Sequence, residues 1–410
     1  MDTPTTDGAS PLFSPLAIRG VTLANRVVVS PMCTYSARDG VPDDFHLVHY
    51  GKFAMGGAGL VFVEATAVSP EGRITNGCLG LWNEAQAEGH RRVVRSLKAY
   101  GAVPALQLAH AGRKASAQRA FEGNGPLTAD NLARGDQSWE PLGPSEHPFA
   151  DGWLAPRKLD RAGMDVLRDA FVAAARRALA VGYEVIELHM AHGYLLQSFL
   201  SPLANRRTDE YGGSLENRMR FPLEVAEAVR AAIPDGVPLF ARVSSTDWIE
   251  GGWEVDDTIV LAGALGAAGV DVVDCSSGGN SLAGATNSSI ARAPGYQVPF
   301  ARRVRRDAGV MTQAVGLIRS PQMAEALVEE GAADLVALGR QMLYDPFWPH
   351  HAAEELGVTD KFENWPVPYG WWLEKWARGL RSMDETPRSA RFDPAAWSAD
   401  ADTAHGVGAR

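Results

Sequence analysis

Eight short runs of apolar, largely β-branched residues recur along the chain, and their alternation with helical patterns restricts the fold more than any other feature. They are RVVVSPM from Arg26, GLVFVEAT from Gly59, VPALQLAH from Val103, YEVIELHM from Tyr183, PLFARVSS from Pro238, VDVVDCSS from Val270, GVMTQAVG from Gly309 and ADLVALGR from Ala333. Near-continuous apolar strands of this kind suit a parallel sheet covered on both faces. Helical periodicity fills gaps between them, as in RAGMDVLRDAFVAAARRALAVG, ENRMRFPLEVAEAVRAAI and SPQMAEALVEEGA. Eight such units predict an α/β fold, a closed (β/α)8 TIM barrel. The open doubly wound sheet is its rival, but no run is followed by the GxGxxG turn that marks one.

Two departures from the repeat carry information. LFSPLAIRGVTLANR, before the first run, alternates around a glycine and predicts an N-terminal hairpin closing the barrel floor. Residues 113–158 form a long loop after strand three, and so long a loop in a compact domain points to an active-site cover. The expected organisation is a flexible N-terminus over 1–10, a barrel over 11–383 and a C-terminal tail over 384–410.

Composition narrows the function. A net charge of -10 argues against nucleic acid, whose phosphates need basic patches. Three cysteines, Cys33, Cys78 and Cys275, form no spaced cluster for a disulfide framework, zinc or iron–sulfur centre. The start, MDTPTTDGAS, lacks the pattern of a secretory signal, and no apolar run approaches the ~20 residues of a membrane span. A cytoplasmic protein with no membrane partner is expected.

In a barrel of this type the chemistry sits where strands end at the C-terminal face. Alternation along VIELHM sends Glu187 and His189 inward, and the same reasoning puts Gln107 and Arg242 inside. A buried arginine needs a negative partner. Glu187 could supply it as a structural ion pair, or an anionic or polar cofactor could lie across the mouth. Gly316 ends strand seven and Gly339–Arg340 end strand eight, where barrels commonly bind phosphate.

His189 and His192 stand three residues apart, with Tyr194 two further on. A metal pair, as in a metal-dependent lyase or hydrolase, is the alternative reading, but catalytic zinc needs a third ligand, and Glu187 could serve only by leaving its interior partner. HLVHYG at 46–51 repeats the spacing without obvious chemistry. No metal is expected.

SPMCTYS at 30–36, VEATAV at 63–68, ALQLAHAGRKAS at 105–116 and HMAHGYLLQSFLSPLANRRTDEYGGSLENR at 189–218 together resemble the Old Yellow Enzyme family of FMN-dependent ene-reductases, in its bacterial, cysteine-containing branch. The resemblance covers roughly residues 11 to 376. It implies that Ser30, Pro31, Met32, Cys33 and Ala65 lie along the isoalloxazine ring, and that Gln107 bonds its pyrimidine edge. Arg242 would sit near N1 and the C2 carbonyl, and Gly316, Gly339 and Arg340 would hold the phosphate. NADPH or NADH would serve as reductant. His189 and His192 would bind the carbonyl oxygen of an enone, enal, maleimide or nitro substrate, Tyr194 would protonate the α-carbon, and Tyr35 would close the pocket. Trp372, reaching a neighbouring subunit's pocket from WPVPYGWWLEKWARGLR, would complete it, in a homodimer or higher homo-oligomer. Arg113, Lys114 and Arg119 are candidates for the extra phosphate of NADPH, and Arg206, Arg207, Asp209 and Glu210 are read as a salt-bridge scaffold.

Overall fold

The computed structural model describes residues 10–282, 292–359 and 361–384. The expected N-terminal stretch and tail therefore lie almost entirely outside the described residues. Chain contacts divide the protein into Met1–Val358 and Thr359–Arg410.

The first unit is the barrel. Its strands are β1 (Val27–Val29), β2 (Leu60–Ala67), β3 (Val103–Ala109), β4 (Val185–Met190), β5 (Leu239–Ser244), β6 (Val272–Ser276), β7 (Met311–Val315) and β8 (Leu335–Leu338), all parallel. They pair in chain order, and β8 closes on β1 through Leu338↔Val29. Each of the eight apolar runs contains one strand.

Period-two alternation then sorts the side chains. Val28, Leu60, Phe62, Ala105, Val185, Phe240, Val272 and Leu335 form a buried cluster inside the barrel. Ile186, Leu188, Met190, Ala241, Val243 and Val273 join the larger cluster that also takes in helix residues such as Phe171 and Val225. Two residues beyond the inner apolar layer come Ser30, Gln107, Glu187, Arg242, Asp274 and Gln313, all buried. The barrel interior is thus apolar below and polar above.

The hairpin Leu16–Ile18 with Val21–Leu23 is antiparallel, and its Ile18 and Leu23 pack into the inner cluster, closing the floor. Helices start where the sequence supplies caps. Asp43 caps α1 (Asp44–Met55) in a capping box with His46, and Asn83 caps α2 (Glu84–Ala99) with Gln86. The helix before β4, α3 (Arg161–Val181), ends on Gly182 at φ 104°, a left-handed turn that favours glycine.

The loop after β3 carries short elements, Ala129–Ala133 and the paired Leu142–Gly143 and Arg157–Lys158. It is tied down by Trp139 Nε1 donating to the Glu71 carbonyl and by Arg113 donating to the Asn280 carbonyl at 2.6 Å. In the second unit the described structure is a short turn, Phe362–Asn364, and a helix, Val367–Asp384. Gly370 lies so close to that turn that a Cβ would stand 2.4 Å from the Phe362 carbonyl.

Candidate active site

His189 is the last inward position of β4, directly across from Arg242 on β5. It is 4% exposed, and its Nδ1 has no partner among the described residues. The chain then turns sharply. His192 takes a left-handed φ of 61°, uncommon for a residue with a side chain and worth asking what holds it. Three contacts do. Its N–H donates to Ser244 Oγ at 2.9 Å, its Nε2 meets Ser276 Oγ at 2.8 Å, and its carbonyl accepts from Lys114 Nζ at 2.9 Å. Gly193 follows at φ 75°, where a Cβ would stand 2.3 Å from the Gly279 carbonyl.

Tyr194 precedes the short helix Leu195–Leu200, whose register Asp247 secures by accepting from Gln197 Nε2 at 2.9 Å and Ser201 Oγ at 2.5 Å. The three candidate residues come together as a result. His189 and His192 rings lie 5.1 Å apart at 84°, and His189 and Tyr194 rings 5.0 Å apart at 73°. Burial, reinforced by Arg242, holds both imidazoles well below their ordinary pKa, so both are neutral at pH 7. Burial, with Cys33 adding, raises Tyr194, which keeps its phenolic proton.

A second group follows β1. Ser30 Oγ accepts from Arg242 Nη1 at 2.9 Å. The segment carrying Pro31, Met32 and Cys33 is anchored beyond by Glu64, which receives Thr34 N at 2.8 Å, Thr34 Oγ1 at 2.7 Å and the Tyr50 hydroxyl at 3.0 Å. Glu64 reaches them because β2 shifts register between Val63 and Thr66, a bulge that re-aims the side chain and leaves Ala65 buried beside it. Cys33 is half-buried, and loss of water around its sulfur, with Glu64 nearby, raises its pKa, so it stays a thiol. Tyr35 has φ 53°, and Cys33 first, then burial, raises its pKa.

Ser30, Pro31, Met32, Arg242, Gly316, Gly339 and Arg340 line one cavity of about 380 Å³. Gly316 has φ 128°, and a Cβ there would crowd Gln297 Nε2 at 3.0 Å. Gly339 is less constrained, since its Cβ would meet only Met32 Sδ at 3.6 Å. Arg340 is exposed at the cavity rim.

Several expectations are corrected. Arg242 pairs with Asp274, Nε to Oδ2 at 3.5 Å, whereas Glu187 takes Gln107 Nε2 at 2.8 Å. Asp274 follows two valines in VDVVDCSS, and alternation with Val272 would have found it. Arg113 and Lys114 turn inward, Arg113 to Asn280 and Lys114 to the His192 and Gly279 carbonyls, while Arg119 pairs with Asp136 at 3.1 Å. Buried backbone carbonyls claim the first two, so none of the three waits for a phosphate. In the scaffold Arg207 pairs with Asp209 at 2.6 Å, but Arg206 meets His147 Nε2 instead. Ser244, Ser276 and Asp247, which position His192 and Tyr194, were missed, as was this role for Lys114; the serines within VSS and CSS were the available signal. Trp372, in the second unit, is exposed and packs edge-on to Trp371 at 4.6 Å. Among the described residues no three His, Cys, Asp or Glu side chains are placed to hold a metal, and no helix is long and apolar enough to cross a membrane.

The family model of the NADH:flavin oxidoreductase / NADH oxidase family matches residues 11–358. An NADPH dehydrogenase from a Geobacillus species is 45% identical over 350 residues, covering 85% of this chain and 95% of that protein. Among solved structures, morphinone reductase superposes with a TM-score of 0.69 at 29% identity, covering 86% of this chain and 91% of its own. A 2-naphthoyl-CoA reductase gives 0.74 at 27% identity over 84% of this chain, which spans about half (52%) of that longer one. The chain belongs to the NADH:flavin oxidoreductase family, that of the Old Yellow Enzyme, and is an NAD(P)H-dependent flavin oxidoreductase with FMN as its cofactor.

Proposed function

We propose that this oxidoreductase is an ene-reductase acting on an α,β-unsaturated carbonyl (an enone, enal or maleimide) or a nitro compound. The observation that carries the reading is the assembly of two neutral imidazoles and one un-ionised phenol at the end of β4.

The residues suit FMN. Gly316, Gly339 and Arg340 of the cavity would take the phosphate end, and Arg242, cationic and buried, would face the edge where negative charge gathers. Ser30, Pro31, Met32, Cys33 and Ala65 would flank the ring. Gln107 spends its Nε2 on Glu187, which leaves its Oε1 free for the pyrimidine edge. Bound FMN, reduced by NAD(P)H, supplies the hydride that reaches the β-carbon.

The chain's own residues do the rest. Ser276 engages His192 Nε2, so the other nitrogen is available to the substrate oxygen, and His189 keeps its Nδ1 without a partner among the described residues. Two preset donors stabilise the charge that grows on that oxygen, a contribution of about 10²–10³ in rate per donor. Tyr194, still protonated, delivers its proton to the α-carbon, and Tyr35 closes over the substrate. Trp372 would enter the pocket of a second copy in a homo-oligomer, and truncation to alanine would then raise KM without changing FMN binding.

The test is an anaerobic titration of the FMN-loaded protein with NADPH and then 2-cyclohexenone. Bleaching of the visible flavin band by NADPH and its return with the enone supports the reading. A band that bleaches and stays bleached overturns the substrate class.

A further inference from the structure

The polar layer inside the barrel holds more negative charge than the site accounts for. Glu187 and Asp274 are both fully buried, as is Gln313. In the strand register Asp274 lies across from Arg242 on one side and Gln313 on the other, and His189 lies on Arg242's far side. Asp274 pairs with the guanidinium, and Glu187 has the Gln107 amide. Glu187 Oε2 lacks a hydrogen-bond partner among the described residues, whereas the Asp274 carboxylate is favoured by Gln313, its neighbour in the register, as well as by Arg242.

Two carboxylates around one guanidinium leave a negative charge uncompensated, and a buried group in that position takes up a proton instead. Asp274 has a cation within ion-pair reach, whereas the Gln107 amide serves a neutral acid as readily as a carboxylate. We infer that Glu187 is held protonated and Asp274 ionised, and that Asp274 alone sets how much of Arg242's charge is left for the reduced flavin. Burial first, and Asp274 next, push the Glu187 carboxyl well up against the pull of Arg242 and Gln107; burial raises Asp274, and Arg242 and Gln313 oppose it. The inference rests on Arg242 facing the flavin, as proposed above. Glu187 and Asp274 are positioning residues, acting through Gln107 and Arg242.

The experiment is an anaerobic dye-equilibrium titration of the FMN-loaded wild type, D274N, E187Q and R242M. D274N frees Arg242 and favours reduced over oxidised FMN by at least tenfold, a rise of about 30 mV for a two-electron couple. E187Q, which replaces one neutral group by another, stays within about threefold of wild type. Equal shifts in the two variants, or no shift in D274N while R242M moves the potential, overturn the inference alone. An unmoved R242M removes Arg242 from the flavin, and the inference falls with that placement. Should D274N not fold, infrared difference spectra of wild-type and E187Q apoprotein decide the protonation. A protonated-carboxyl band at neutral pH that E187Q abolishes supports it, and identical spectra overturn it.

Discussion

His46–His49 and His189–His192 share a three-residue spacing, yet the fold treats them differently. The first pair sits within α1. His46 Nδ1 meets its cap, Asp43 Oδ1, at 2.8 Å, and His49 is ringed by Phe45, Tyr50 and Phe53 at 4.8–5.6 Å. The second pair straddles a strand end and a left-handed turn. One pair serves as a helix cap and a packing group within α1; the other stands at a strand end, with His192 Nε2 on Ser276 Oγ and the His189 and Tyr194 rings 5.0 Å apart. Spacing alone does not make a site. The element that carries it decides which side chains it is brought against.

The comparison can be broken by substitution. Tyr194→Phe, beside the second pair, removes the proton donor and should lower the oxidative half-reaction about 10²–10⁴-fold while NADPH still bleaches the flavin. Stopped-flow traces of the two half-reactions check this, and equal slowing of both would contradict it. His192→Ala should cost about 10²–10³ in kcat/KM for an enone, since one preset donor is lost. The same change at His46 or His49 should leave kcat/KM within a few-fold, and a comparable loss there would erase the distinction.

pH sharpens it. Burial, then Lys52 and His46, hold His49 at about 4, below the ordinary 6.5. The unfolded chain therefore binds more protons between these values, so His49 contributes stability that is complete above pH 6.5 and lost as pH falls toward 4. The loss is on the order of a few kcal/mol, and His49→Ala should flatten that part of the denaturation-midpoint curve. His90, also held at about 4 by burial, keeps a residual slope. The smallest expected effect is an absence of change. Because His189 and His192 are already neutral, kcat/KM should show no inflection near pH 6.5; one that disappears in His192→Ala would mean the imidazoles titrate after all.

Much of this was legible in the residues. Strong apolar runs give a barrel because a parallel strand covered on both faces must be apolar throughout, and strict alternation alone puts Gln107, Glu187, His189 and Arg242 inside. Hydrogen-bond partners were not legible. Glu187 is the carboxylate expected to meet Arg242, but the register sets Asp274 directly across from it. Arg113 and Lys114 are candidates for the NADPH phosphate in the sequence, but buried carbonyls of His192, Gly279 and Asn280 take them.

The sequence by itself therefore determined the architecture, the inward-facing set and the motifs at the strand ends, because these depend on local periodicity and on residue chemistry. Only the tertiary structure decided which carboxylate meets Arg242, which serine and lysine hold His192 in its strained turn, and which nitrogens stay unpaired. Those outcomes depend on distances of about 3 Å between residues far apart in the chain, from Lys114 to His192 and from Ser30 to Arg242. Strand register and loop closure set such distances, and neither is written in any single stretch of residues.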